Sequence, residues 1–278
     1  MSFKIGVLSD SFRSDFRTGV EKAAALGVDG VQVYAVSGEM DPDTITDAQV
    51  REKIGILKGC GVAVSALCGD LGGHGFTRRE DNARKIEKSK RIIDLALRFG
   101  TNIVTTHIGV VPHDTKSDTY AVMQEACVAL AQYASSQDAY FALETGLEKA
   151  VPLRVFLDGL GTKALAVNLD PANLVMLADD DPVAAVYELK DYIVHTHAKD
   201  GICKIKADPE ELFSRPSVNF EDYFEEKPLG EGGVDFDGYL KALGEIGYNG
   251  YLTIEREVGD DPERDIKAAV SFLRGKIG

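Results

Sequence analysis

Cysteine is scarce in this chain, and its four residues, Cys60, Cys68, Cys127 and Cys203, form no C-x-x-C pair. Such spacing gives no disulfide framework and suits free thiols in a reducing compartment. Long apolar runs are missing too. None approaches the roughly 18 residues of a membrane span, and Lys4 and Asp10 bracket only a short apolar stretch, so no signal peptide is indicated. The expectation is a cytoplasmic protein without a membrane partner. Positive charge is in short supply: 31 Lys plus Arg face 45 Asp plus Glu, a formal net charge of −14. A surface of that sign repels phosphate backbones and anionic lipid, which argues against nucleic acid as a ligand. What is present is ordinary for a globular chain, with 44% apolar and 27% charged residues. A length of 278 residues can bury a substantial core and still fold as one domain when strands and helices alternate around a barrel.

That alternation occurs eight times. Strands are expected at Lys4 to Leu8, Val31 to Ala35, Val62 to Leu67, Asn102 to His107, Tyr140 to Glu144, Ala164 to Leu169, Tyr192 to His197 and Tyr251 to Glu255. They are short and rich in Val, Ile, Leu, Ala and Tyr, without the strict polar alternation of a half-exposed sheet. Helical stripes lie between them. Phe16, Val20, Ala23 and Ala24 stop at Gly27, while Tyr120, Met123, Cys127, Leu130 and Ala134 recur at three and four residues. Eight such units without a composition break predict an α/β fold, a single (β/α)8 TIM barrel over residues 1 to 278; a doubly wound sheet is the other solution, because periodicity does not report closure. One connection is exceptional. Residues 198 to 234, between the seventh strand and its helix, form a long acidic insert with the turn Gly230-Glu231-Gly232-Gly233.

Four of the apolar runs end on side chains that bind metals: Phe141-Ala142-Leu143-Glu144, Ala166-Val167-Asn168-Leu169-Asp170, Tyr192-Ile193-Val194-His195-Thr196-His197 and Tyr251-Leu252-Thr253-Ile254-Glu255. A lone carboxylate after a strand usually caps the next helix. In a barrel, however, these strands are neighbours and their C-terminal ends share one rim, where catalytic groups sit. Three carboxylates and an imidazole then converge on a site for a divalent cation.

The segments Ala142-Leu143-Glu144-Thr145-Gly146, Asn168-Leu169-Asp170-Pro171-Ala172-Asn173, His195 to Gly201, Leu229-Gly230-Glu231-Gly232 and Ile254-Glu255-Arg256-Glu257 resemble the sugar phosphate isomerase/epimerase family. This is the xylose isomerase-like TIM barrel group that includes D-tagatose 3-epimerase, inosose dehydratase and endonuclease IV. The resemblance spans nearly the whole chain and places the family's metal ligands on Glu144, Asp170, His197 and Glu255. Three hard oxygens and one nitrogen suit Mn²⁺ first, with Mg²⁺, Co²⁺ or Zn²⁺ admissible. The resemblance further implies that Glu144 and Glu255 are the catalytic pair, moving a proton beside a carbonyl through a metal-bound enediolate of a sugar or sugar phosphate. Barrels of this group often form homo-oligomers.

Other positions divide between substrate and scaffold. His107, Glu148, Asn173 and Lys199 are the candidate substrate contacts. His195 shares strand parity with His197 and is expected to pack behind it, His74 lies on a flexible loop, and His113 is a surface residue. The endonucleases of the group carry a histidine three residues after the sixth-strand Asp, where this chain has Asn173, so a three-metal DNA site is unsupported. The ketose 3-epimerases often carry an arginine where Cys203 stands, which weakens the case for a free ketohexose. Two alternatives to an isomerase or epimerase of a sugar-like polyol follow: a metal-dependent lyase or dehydratase on a keto-sugar or keto-inositol, and a non-catalytic sugar-binding barrel.

Overall fold

Residues 3 to 215 and 217 to 278 are described by a computed structural model of the chain. Ten strands are present among them: β1 (Lys4–Leu8), β2 (Gly30–Tyr34), β3 (Ala63–Cys68), β4 (Ile103–Thr106), β5 (Tyr140–Glu144), β6 (Leu165–Leu169), β7 (Ile193–Ala198), β8 (Asp200–Cys203), β9 (Phe224–Lys227) and β10 (Tyr251–Ile254). Eight of these close a parallel barrel in the order β1-β10-β7-β6-β5-β4-β3-β2. The eight-strand alternation read from the sequence is therefore correct, with ends displaced by a residue or two. Closure rules out the doubly wound sheet. Among the described residues no helix is long and apolar enough to cross a membrane, and all four cysteines are free.

The strand residues facing the helices, such as Phe141, Leu143, Val167 and Leu169, are almost wholly excluded from solvent. Helices cover them through stripes that include Met123, Leu130, Leu153 and Phe156. Burying each large apolar side chain contributes roughly 1.5–3 kcal/mol, and this shell holds the strand ends in register. The helix Asp47–Cys60 between β2 and β3 has no strong apolar stripe; it is started by a reciprocal cap between Thr46 and Gln49.

The insert is built rather than loose. β8 and β9 pair antiparallel, Asp200 opposite Lys227 and Cys203 opposite Phe224, and a short helix, Pro209–Ser214, lies between them. Asp200, almost fully buried, is its latch: one carboxylate oxygen accepts from Gly201 N (2.9 Å) and Val234 N (3.1 Å), the other from Gly230 N and Gly232 N (both 2.9 Å). A Cβ at Gly232 would overlap that carboxylate, which is why glycine stands there. Asp200→Ala leaves four backbone donors without their charged acceptor and is expected to cost about 3 kcal/mol. Urea unfolding checks this, and a loss below about 0.5 kcal/mol would show that the latch is replaceable.

Candidate metal centre

β5, β6, β7 and β10 lie side by side in the barrel, and Glu144, Asp170, His197 and Glu255 stand at or just beyond their C-terminal ends. Each offers a ligand atom, all four atoms lie within 4.8 Å of one another, and all four residues are buried. Local chemistry fixes each one. Thr145 Oγ1 donates to the Asp170 carbonyl (3.0 Å) and accepts from Asp170 N (2.8 Å), tying the end of β5 to that of β6. Gly146, at φ 120°, lets the chain pass so close to Asn173 that a side chain would collide with it. Asn173 Nδ2 can then donate to Glu144 Oε1 (3.2 Å).

Asp170 plays two parts. Its Oδ1 caps the following turn by accepting from Asn173 N (2.9 Å), while Oδ2 faces His197 Nδ1 at 3.1 Å. Capping and ligation are thus compatible for one carboxylate. His197 Nδ1 also lies 3.5 Å from Glu144 Oε1 and 3.4 Å from Glu255 Oε2. Its other nitrogen, Nε2, is 2.9 Å from Gln32 Oε1, and Gln32 Nε2 donates to Thr105 Oγ1 (2.7 Å). With Nε2 turned to Gln32 Oε1, Nδ1 is the nitrogen that faces the three carboxylates, and either a proton or a metal ion there meets their charge. The set supplies oxygens and nitrogen of the kind a divalent cation takes, and the residues fit such an ion.

Burial alone would strip the charge from His197, yet Glu255, Glu144 and Asp170 hold its pKa well above the ordinary histidine value. Burial likewise opposes ionisation of Glu255, and Lys199 and His197 overcome it, keeping that carboxylate well below its usual range. Lys199 Nζ donates to Glu255 Oε2 (2.8 Å) and to Glu257. His195 is deep in the barrel, where burial and the neighbouring His197 keep it neutral. Its Nδ1 donates to Asn168 Oδ1 (2.8 Å), and Asn168 Nδ2 donates to Glu144 Oε2 (3.1 Å), so His195 steadies Glu144 through one intermediary.

A cavity of about 1130 Å³ opens above the cluster, and Glu144, Glu255, His107, Asn173 and Lys199 line it. Asp170 and His197 are not on its surface. His107 Nδ1 lies 3.0 Å from Asp70 Oδ2, with Nε2 3.7 Å from Glu144 Oε1. Burial lowers its pKa, but Glu144 and Asp70 outweigh that and raise it to about 9. His74 lines the cavity on an exposed loop, and exposed His113 lies near Asp208 and Glu210.

Glu148 is not brought to the cavity with the others. It is buried, with Oε2 accepting weakly from Val111 N (3.4 Å), and burial lifts its pKa from 4.5 to about 7. Between those values the folded chain keeps a proton that the unfolded chain has lost, so stability falls as pH rises across that window. Glu148→Gln is expected to be roughly 3 kcal/mol more stable than the parent at pH 8 and to show no gain at pH 4, as measured by denaturant unfolding at the two pH values. A gain independent of pH would contradict the assignment.

Gln32, Asn168 and Asp70 touch the candidate site and are residues that pattern reading passes over. Gln32 and Asn168 are polar residues inside apolar strands, and each falls where the register with the next strand shifts, between Val31 and Gln32 and between Val167 and Asn168. Such irregularities re-aim side chains beside sites. A buried polar residue in mid-strand was the available signal.

Comparison with known proteins accords with the barrel fold. The family model for the xylose isomerase-like TIM barrel matches residues 20–276. Among curated proteins no sequence match is found. Among solved structures, a xylose isomerase domain protein from Planctomyces limnophilus is 28% identical, with a TM-score of 0.81 over 99% of this chain and 96% of that one. A probable 3-DHS dehydratase from Bacillus anthracis has a TM-score of 0.74 at 19% identity, covering 98% and 99% of the two chains. D-psicose 3-epimerase from Clostridium cellulolyticum H10, solved with D-tagatose, has a TM-score of 0.74 at 17% identity, covering 99% of each chain. The chain belongs to the xylose isomerase-like TIM barrel family.

Proposed function

We propose that this protein is a divalent-metal-dependent isomerase or epimerase of a sugar or sugar-like polyol, acting by proton transfer at the carbon beside a carbonyl. One observation carries the reading. Of the four clustered residues, only Glu144 and Glu255 line the cavity, and they come from β5 and β10, the two ends of the four-strand arc, with β6 and β7 between them. Two buried carboxylates at the ends of that arc would then face a bound ketose from two sides.

Glu144, Asp170, His197 and Glu255 would hold the ion, Mn²⁺ being the first choice. When bound, such a cation supplies the Lewis acidity that makes hydrogen beside a carbonyl removable. One glutamate takes that proton. The other returns a proton to the opposite face, which inverts the stereocentre, while return to the same face gives exchange or isomerisation. Acid-base help of this kind is worth roughly 10²–10⁴ in rate. Protonated His107, held by Asp70 beside Glu144, is placed to donate to a substrate oxygen. The same donor supports a second reading, in which a hydroxyl leaves after proton abstraction and the enzyme is a dehydratase.

Incubating the Mn²⁺-loaded protein with keto-sugars and keto-inositols in deuterated buffer separates these readings. Epimerisation predicts deuterium beside the carbonyl of recovered substrate and no new ultraviolet absorbance; water loss predicts an enone band. Absence of deuterium from every ketose would refute proton abstraction.

A further inference from the structure

The roof of the cavity differs in character from its floor. The insert between β7 and the helix Phe236–Glu245 carries Phe213, Phe220 and Phe224, and all three line the cavity. Their rings form a ladder, with centroids 5.2 Å apart between Phe213 and Phe220 and 6.0 Å between Phe220 and Phe224. Phe213 is 41% exposed and the other two are half-buried, so ring surface remains open to the cavity. Val258, from the loop after β10, is 48% exposed and lines the same space. Apolar surface held beside water is unfavourable until something covers it.

Size and charge narrow what that is. At about 1130 Å³ the cavity exceeds the roughly 300–1,000 Å³ typical for drug-sized ligands, and a free hexose would leave most of it unfilled. Eight carboxylates line it against three Lys or Arg side chains and the protonated His107. Of those cations, Lys199 is engaged by Glu255 and Glu257, Lys204 lies 3.2 Å from Glu225, and Arg78 sits exposed on the loop after β3. A divalent ion on the floor does not reverse that balance. A phosphate ester would be repelled.

We propose that the substrate is an uncharged glycoside whose sugar ring carries a ketone, with that ring over the Glu144–Glu255 pair and a flat, aryl-type aglycone lying on the Phe213, Phe220 and Phe224 shelf. This deepens the sugar reading above and rests on it for the identity of the ring at the floor. Offset or edge contacts between the aglycone and the phenylalanines supply the added affinity.

The test is calorimetric titration of the Mn²⁺-loaded 278-residue chain with p-nitrophenyl β-D-glucopyranoside, methyl β-D-glucopyranoside and glucose 6-phosphate, with particle mass followed by light scattering. The aryl glycoside is expected to bind about tenfold more tightly than the methyl glycoside, and the phosphate no better than the methyl glycoside. Phe213→Ser, alone and with Phe220→Ser, should erase the aryl preference while leaving methyl glycoside affinity and particle mass unchanged. Equal glycoside affinities, tighter binding of the phosphate, or no binding of either glycoside would overturn the proposal. So would variants that keep the aryl preference but change the particle mass, since the shelf would then be an interface between copies. Neither glycoside has a carbonyl, so binding is read independently of proton exchange. Failure of deuterium uptake would remove the isomerase reading without imitating failure of the shelf.

Discussion

Glu144→Gln and Glu255→Gln are each expected to lower deuterium uptake from solvent into a turned-over ketose by about 10³-fold, with circular dichroism unchanged. The substitution keeps size and removes the basic oxygen. In Glu144→Gln the amide oxygen still accepts from Asn173, while the amide nitrogen meets Asn168 Nδ2, a donor 3.1 Å from the present carboxylate. Some loss of positioning therefore accompanies loss of the base. Glu255→Gln removes the carboxylate that Lys199 and His197 hold ionised, so its effect on rate should be at least as large. The measurement is NMR-detected exchange at saturating ketose and Mn²⁺, with bound metal quantified in the same samples. Either variant retaining more than about a tenth of parental exchange would remove that glutamate from proton transfer.

Lys199→Met should be the most destabilising of the single substitutions, by about 3–5 kcal/mol, because removing one member of a buried ion pair strands the other. Lys199 is 4% exposed, and Glu255 and Glu226 beside it are also buried. Arg256 retains Glu226, but Glu255 loses its nearest cation. Glu257, more than half exposed, rehydrates and contributes little. For a chain of this size the loss corresponds to a fall of roughly 10 °C in melting temperature. A fall under about 2 °C in scanning calorimetry would mean that the lysine is held at the site for substrate and not for Glu255. The sequence makes it a candidate substrate contact, and in the structure its ammonium stands at the cavity wall between Glu255 and Glu257.

The barrel could be read from the chain because its strands are buried on both faces and so appear as short apolar runs between helical stripes. The meeting of four metal-capable side chains was readable for a related reason: Glu144, Asp170, His197 and Glu255 each interrupt an apolar run where the strand leaves the core. Their supports were not. Gln32 meets His197 across 165 residues, Asn168 meets His195 across 27, and Asp70 meets His107 across 37, so local periodicity carries no trace of these pairs. The hairpin was hidden because β9, Phe224-Glu225-Glu226-Lys227, has the composition of an exposed loop. Glu148 has helical spacing from Glu144, but the turn after Gly146 breaks that geometry and leads its carboxylate to the Val111 amide.

Four buried side chains, Glu144, Asp170, His197 and Glu255, are expected to hold one divalent ion. Metal content decides it: the protein is stripped with chelator, dialysed against Mn²⁺, and assayed by plasma mass spectrometry alongside Asp170→Ala and His197→Ala. One ion per chain in the parent, and loss of that ion in both variants with the fold retained, is the predicted result. A parent that returns from Mn²⁺ empty, or variants that bind as the parent does, would contradict the account.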